Sequence, residues 1–233
     1  MALPQLNVPK YELTVPSSGI AVKFRPYLVK EEKLLMIALE SQDEKQMMSA
    51  IIDIIDTCTM NQLKMNSLTM FDVEYIFIKL RSKSVGETSK VKLPCTKCEH
   101  KNSVDIDLDL INVTNKPETK IKLTEDTGLI MRFPALKDYQ DIQNSDLNNV
   151  DKIFAIVVAS IDSIYSGDEM FDTSSHSKKE LLEFVESLSA EQFKKVQAFL
   201  DAMPAVYINV LFECEGCGEH NELELKGLAN FFA

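Results

Sequence analysis

The sequence predicts an α+β fold that arises from an internal duplication, in which a β-hairpin, helices and a zinc knuckle occur twice. The first observation is a pair of Cys-x-x-Cys motifs, Cys95/Cys98 and Cys214/Cys217, each placed between strand-like stretches. The second is that the segments before the first motif resemble, in the same order, the segments before the second. Ordered self-similarity is the signature of a repeated unit, so we expect the two knuckles to form one zinc-ribbon-like site.

The duplication also predicts the domain organisation. If each half contributes one knuckle to a shared metal ion, the two halves fold together rather than as separate domains. We therefore expect one pseudo-twofold domain over residues 1–233, with repeat halves at 11–110 and 119–228.

Each predicted half opens with a hairpin. The stretch YELTVPSSGIAVKFRP (Tyr11–Pro26) resembles IKLTEDTGLIMRFP (Ile121–Pro134): both contain Leu-Thr, a turn ending in Gly, an apolar stretch, a basic residue, Phe and Pro. Two strand-like stretches around a short Gly-containing turn are typical of a β-hairpin. We expect Gly19 and Gly128 at the two turns.

Helices follow each predicted hairpin. The apolar segments Ala50–Cys58 and Ala155–Ser163 resemble each other, and Ser67–Leu80 resembles Ser187–Leu200. The second pair of segments contains Thr69 with Asp72 and Ser189 with Gln192, which is the spacing of a capping box. Helical apolar spacing predicts helices over Lys30–Leu39, Met47–Cys58, Asp151–Tyr165 and Glu180–Glu186.

The four paired cysteines predict one structural zinc site. Four thiolates form the soft, tetrahedral ligand set that Zn²⁺ prefers, so we expect the ligands to be Cys95, Cys98, Cys214 and Cys217. A disulfide framework does not suit a chain without an export signal, and a thioredoxin-like site needs a Cys-x-x-Cys that opens a helix. Reduced thiols without metal remain the alternative.

The other cysteine and the histidines near the knuckles have simpler interpretations. We expect Cys58 to be a buried core thiol, because a free Cys behaves as a small hydrophobic residue. His100 and His220 follow the two pairs and could replace a ligand. Four cysteines already complete the site, so we expect both histidines at the surface.

Composition limits the classes of function. Lys and Arg number 25 against 36 Asp and Glu, which gives a net charge of −11. An acidic chain gains little from counterion release on phosphate backbones, which disfavours nucleic acid as a partner. The sequence has no apolar run of about 18 residues and no basic-then-apolar export signal at its start. We expect a soluble, intracellular protein without a membrane partner.

The sequence contains few candidate catalytic residues and motifs. The chain has 3 histidines and contains no phosphate-binding loop, nucleophile elbow or His-Glu-x-x-His motif. We therefore expect a protein that is not an enzyme and has no small-molecule substrate.

The segment VKFRPYLVKEEKLLMIALES (Val22–Ser41) resembles the N-terminal signature of the T-even-like phage baseplate hub assembly proteins, which are described as hub assembly chaperones. The resemblance lies in Phe-Arg-Pro-Tyr, then Val-Lys-Glu-Glu-Lys and an apolar helix. It implies an assembly factor or a structural component of the hub, which contacts other baseplate or hub proteins. It also implies a location in the host cytoplasm during assembly or in the virion tail baseplate.

Two short segments are candidates for partner binding. Phe24, Arg25 and Pro26 either bind a partner or only fix a hairpin-to-helix junction. The adjacent aromatics Phe231 and Phe232 must either pack on the protein's own core or meet a partner. The alternative function is a zinc-ribbon regulatory protein that binds a basic protein or nucleic acid, although the acidic second knuckle, ECEGCGEHNELEL, disfavours DNA.

Overall fold

Strands and helices occur in groups along residues 7–231, the part of the chain that this computed structural model describes. In chain order they are β1 (Tyr11–Thr14), β2 (Ala21–Phe24), α1 (Val29–Ser41), α2 (Glu44–Cys58), α3 (Met70–Val85), β3 (Thr88–Pro94), β4 (Lys101–Asp107), β5 (Asn112–Val113), β6 (Lys120–Lys122), β7 (Thr127–Met131), α4 (Leu136–Gln143), α5 (Asn149–Ala159), β8 (Ile161–Ser166), β9 (Glu169–Asp172), α6 (Lys178–Glu186), α7 (Ala190–Asp201), β10 (Val206–Glu213) and β11 (His220–Lys226). The predicted α+β class is confirmed.

These elements divide between two units. The described residues within Met1–Thr114 and Ala205–Ala233 form the first unit, and Asn115–Pro204 forms the second. The predicted repeat halves, 11–110 and 119–228, do not coincide with this division, because the second knuckle hairpin, β10 with β11, belongs to the first unit. Both halves contain a hairpin, helices and a knuckle hairpin in that order. The duplication itself stays a prediction.

The first unit begins with the β1–β2 hairpin and three helices. Gly19 lies in the hairpin turn with a φ of 71°, a left-handed conformation that favours glycine. Thr69 caps α3, and its amide donates to the buried carboxylate of Asp72, which completes the predicted capping box. The other carboxylate oxygen of Asp72 accepts a hydrogen bond from the amide of Ser17, 2.8 Å away, and so ties the hairpin turn to the start of α3.

The core of the first unit lies between α3 and the two knuckle hairpins. Strands β3 and β4 pair in antiparallel register, as do β10 and β11, and β5 adds a short third strand beside β10. Buried side chains alternate with exposed ones along β3, as expected for a strand with one face in the core. The buried set contains Ile78, Val91, Leu93, Ile106, Leu108, Ile111, Val206, Ile208, Val210, Leu225 and Phe231.

The second unit is a four-stranded antiparallel sheet, in the order β6-β7-β8-β9, with helices α4 to α7. Gly128 was expected at the hairpin turn, but it lies inside β7, paired with Lys122. A Cβ atom at Gly128 would collide with the hydroxyl of Tyr165 and the carbonyl oxygen of Ile121. This glycine therefore permits close packing of the sheet instead of forming a turn.

The predicted helix over 151–165 is wrong in its last part. Helix α5 ends at Ala159, and strand β8 begins at Ile161. The hydroxyl of Ser160 donates to the carbonyl of Ile156, and the carbonyl of Ser160 accepts from the amide of Arg132 at 2.7 Å. The helix ends at this residue because the following segment, β8, pairs with β7 by backbone hydrogen bonds. In β8, Ile161 is buried and Asp162 is exposed.

No helix within residues 7–231 combines the length and the apolar character that a membrane span requires.

Candidate metal centre

The two knuckles bring the sulfur atoms of four cysteines together. The Sγ atoms of Cys95, Cys98, Cys214 and Cys217 all lie within 4.8 Å of one another. Two of the distances across the knuckles are 3.8 Å, between Cys95 and Cys217, and 3.6 Å, between Cys98 and Cys214. A tetrahedron of thiolates around zinc, with Zn–S bonds of about 2.3 Å, has S···S edges of about 3.8 Å. The four cysteines therefore fit a tetrahedral metal ion.

The first knuckle is a turn closed by backbone hydrogen bonds between β3 and β4. The amide of Cys95 donates to the carbonyl of His100 at 2.9 Å, and the amide of Glu99 donates to the carbonyl of Cys95 at 3.0 Å. Glu99 has a φ of 58°. The amide of Lys97 points at the sulfur of Cys95, with N and Sγ 3.4 Å apart. The chain thus curls around the first cysteine of the pair.

The second knuckle repeats this geometry between β10 and β11. The amide of Cys214 donates to the carbonyl of Glu219 at 2.8 Å, and the amide of Gly218 donates to the carbonyl of Cys214 at 2.9 Å. Gly218 has a φ of 72°, so it has the same left-handed backbone as its counterpart in the first knuckle. The amide of Gly216 lies 3.4 Å from the sulfur of Cys214.

Two buried asparagines, which the sequence motifs did not single out, connect the knuckles. Asn221 accepts hydrogen bonds from the amide and the hydroxyl of Thr96, both at 2.9 Å. Asn102 accepts one from the amide of Glu215, also at 2.9 Å. Each asparagine stands at the same place after its Cys-x-x-Cys, in the pattern Cys-x-x-Cys-x-x-x-Asn. That shared pattern is the sequence signal that could have found them.

The electrostatics of the centre favour a bound cation. The amides of Cys98 and Lys97 donate to the sulfur of Cys95 and lower the pKa of this thiol to about 6. The Glu219 amide lowers the pKa of Cys217, but the neighbouring thiol of Cys98, desolvation and the other thiols outweigh it and raise that pKa to about 12. These two thiols thus differ in how readily they ionise, and a divalent metal would supply positive charge that stabilises both as thiolates.

The rim of the centre is polar and exposed. The Nζ atom of Lys97 lies 2.7 Å from a carboxylate oxygen of Glu219 in the other knuckle. His100 packs against Gly216, where a Cβ atom would lie 3.0 Å from the Cγ atom of the ring. His100 and His220 are both exposed, as expected, and the metal-ligand group found among the described residues consists of the four cysteines alone.

The predicted partner-binding residues make contacts within the chain. Phe24 and Pro26 are buried, and Arg25 donates to the carboxylate of Glu31 at 2.9 Å and to the carbonyl of Pro26. Phe231 is fully buried, and its carbonyl accepts a hydrogen bond from the hydroxyl of Ser89. Phe232 lies outside the described residues. A role of these residues in partner binding stays a prediction.

Comparison with known proteins identifies the family of this chain. No curated protein and no solved structure matches the chain. The family model described as T4 bacteriophage base plate protein matches residues 8–233, which include every strand, every helix described above and all four cysteines of the centre. This chain therefore belongs to the T4 bacteriophage base plate protein family.

Proposed function

We propose that this protein is a non-enzymatic component of the baseplate hub, either an assembly factor or a permanent structural part. The observation that carries the proposal is the family match over residues 8–233, which leaves almost none of the described chain for an unrelated activity. It acts through contacts with other baseplate or hub proteins. Its place is the host cytoplasm during assembly or the virion tail baseplate.

In this proposal the four cysteines hold one structural zinc ion. All four tetrahedral positions are filled by protein thiols, whereas a catalytic zinc keeps a position open for water or substrate. The ligands come from two hairpins that are far apart in sequence, since Cys98 and Cys214 are 116 positions apart. The ion would therefore fasten the second knuckle hairpin to the rest of the first unit.

Helix α1 is the surface that we assign to partner contacts. Apolar side chains that are about half exposed or more lie along this helix: Val29, Leu34, Met36, Ile37 and Leu39. Clustered exposed apolar side chains mark protein interaction sites more often than chance surface positions. The partner that suits this helix is another protein of the baseplate, because the charged residues at the two ends of the helix have both signs and offer no basic track for nucleic acid.

The test compares purified virions with infected-cell lysate. The protein is quantified in both by mass spectrometry, and its neighbours are identified by cross-linking. A fixed copy number per virion indicates a structural hub component, whereas abundance in lysate with absence from virions indicates an assembly factor. The proposal fails if phage lacking the protein builds normal baseplates and the cross-links reach no baseplate protein.

A matched pair of variants tests the role of α1. Ile37→Glu places a charge on the exposed face of α1, where Ile37 is 52% exposed. Met170→Glu makes the same kind of change on the exposed strand β9, where Met170 is 59% exposed. We expect Ile37→Glu to lose the cross-links to baseplate proteins and Met170→Glu to keep them. Equal behaviour of the two variants would exclude α1 as the contact surface.

A further inference from the structure

We infer that Asn102 and Asn221 form a reciprocal clamp that holds the two knuckles at the separation needed by the four-cysteine centre. They are positioning residues, since each acts on the cysteines through the backbone of the opposite knuckle. The inference rests on the proposed metal site and adds to it the residues that pre-assemble the ligands.

The clamp works in both directions across the centre. The side chain of Asn221, on β11, accepts from the amide of Thr96 in the first knuckle. The side chain of Asn102, on β4, accepts from the amide of Glu215 in the second knuckle. Thr96 and Glu215 directly follow the first cysteine of their pairs. Fixing these two amides therefore fixes the backbone of one ligand in each knuckle.

The remaining hydrogen bonds explain why the clamp uses asparagine. The Nδ2 atom of Asn102 donates to the carbonyl of His100, and the Nδ2 atom of Asn221 donates to the carbonyl of Glu219, each at 2.9 Å. Each side chain must therefore accept across the knuckles and donate within its own hairpin. An amide does both, whereas a carboxylate can only accept and an alanine can do neither.

Both asparagines are buried, which raises the free-energy cost of losing these hydrogen bonds. Asn102 is 2% exposed and Asn221 is 4% exposed. Removing either side chain takes away the buried acceptor of a backbone amide in the opposite knuckle. The Nδ2 atom of Asn221 also lies 3.7 Å from the sulfur of Cys95, so this asparagine stands directly beside one ligand.

Residues that hydrogen-bond to the ligands of a metal site, without binding the metal themselves, affect the metal affinity. Loss of such an outer partner typically weakens metal binding by about 10–100-fold. The exposed ion pair of Lys97 with Glu219 also spans the two knuckles, but its lysine side chain is 67% exposed. Exposed ion pairs contribute little. Asn209→Ala is the matched control, because Asn209 is exposed on β10 of the same unit and the same substitution there leaves the clamp intact.

The first measurement is zinc affinity of the full chain, by competition with a chromophoric chelator. We expect Asn102→Ala and Asn221→Ala each to weaken zinc binding by about 10–100-fold, and Asn209→Ala to stay within about twofold of the wild type. The absorption spectrum of the cobalt-substituted protein, which reports tetrahedral thiolate ligation, should remain that of four sulfur ligands in the control.

The second measurement is amide hydrogen exchange by NMR on the zinc-loaded protein. Asn221→Ala should accelerate exchange at Thr96 and spare Glu215, and Asn102→Ala should do the reverse. A general loss of structure would not produce this crossed pattern. Should an alanine variant fail to fold, Asn221→Asp replaces it: the carboxylate keeps the acceptor for Thr96, so protection of that amide should persist while zinc binding weakens.

The outcomes separate this inference from the proposed metal site. A wild type that binds zinc, with asparagine variants that bind it within about twofold, overturns the clamp and leaves the metal site standing. A wild type that binds no zinc after reconstitution overturns both. Faster exchange at both amides in either variant also overturns the reciprocal arrangement.

Discussion

Because Phe231 is buried, we expect removal of its ring to lower the free energy of unfolding substantially. The side chain is fully buried in the core of the first unit, among residues of α3 and the two knuckle hairpins. A polar contact holds the same segment, because the hydroxyl of Ser89 donates to the carbonyl of Phe231. Phe231→Ala keeps this backbone carbonyl, so it tests the ring alone.

The magnitude follows from the cavity that the substitution leaves. Truncating a buried Phe to Ala typically costs about 3–5 kcal/mol, from lost transfer free energy and from the unfilled volume. We expect about 4 kcal/mol of the free energy of unfolding to be lost. For a protein of this size that corresponds to a fall in the unfolding midpoint of about 10 °C.

The assay is urea denaturation followed by circular dichroism, in buffer that contains zinc. Leu211→Ala is the control, because Leu211 lies on β10 of the same unit and is 73% exposed. It should change the free energy of unfolding by no more than about 0.5 kcal/mol. A loss below about 1 kcal/mol for Phe231→Ala would refute the packing argument and would favour the interpretation of Phe231 as a partner-binding residue.

Three further predictions concern the metal, the sheet and pH. Removing the metal with a chelator should lower the unfolding midpoint of the wild type, measured by calorimetry, by about 10 °C. The midpoint of a Cys98→Ser/Cys214→Ser variant should not change. An equal response of both proteins would argue against a structural ion. Gly128→Ala should destabilise the second unit by about 1–3 kcal/mol through the clash inside the sheet, measured by chemical denaturation beside Gly167→Ala, whose Cβ meets no atom within 4 Å but whose φ of 60° adds some strain. The hydrogen bond from Lys83 lowers the pKa of the Asp109 carboxyl, so this group stabilises the fold above the unfolded pKa of about 4 and loses that contribution as pH falls further. The wild type should therefore lose more stability than Asp109→Asn between neutral pH and about pH 3, and parallel melting curves would contradict this.

Local signals in the sequence predicted those parts of the fold that are set by residues close together in the chain. The capping boxes at Thr69 and Ser189 are present, because such a box needs only groups that lie within one helical turn of each other. The turn at Gly19 is present for the same reason. Each Cys-x-x-Cys knuckle also forms within a single hairpin. The clustering of the four sulfur atoms was predicted from the preference of Zn²⁺ for four thiolates, since the two motifs are far apart in the chain.

Two errors share a physical cause. Gly128 was placed in a turn because glycine is common in turns, yet the approach of Tyr165 in the neighbouring strand is what requires the missing Cβ. The apolar run ending at Tyr165 was predicted to be helical throughout. Its last part is a strand because pairing with β7 is available there. In both cases a partner distant in sequence decides the local structure.

The sequence alone determined the chemistry of the centre: four thiols, their spacing and the hairpins that present them. Only the tertiary structure decided that Asn115–Pro204 form a unit of their own, and that Asn102 and Asn221 each bind the opposite knuckle. The physical reason is the range of the interactions. Turns and caps are set by residues a few positions apart, whereas packing and hydrogen bonds across more than 110 residues exist only after the chain has folded.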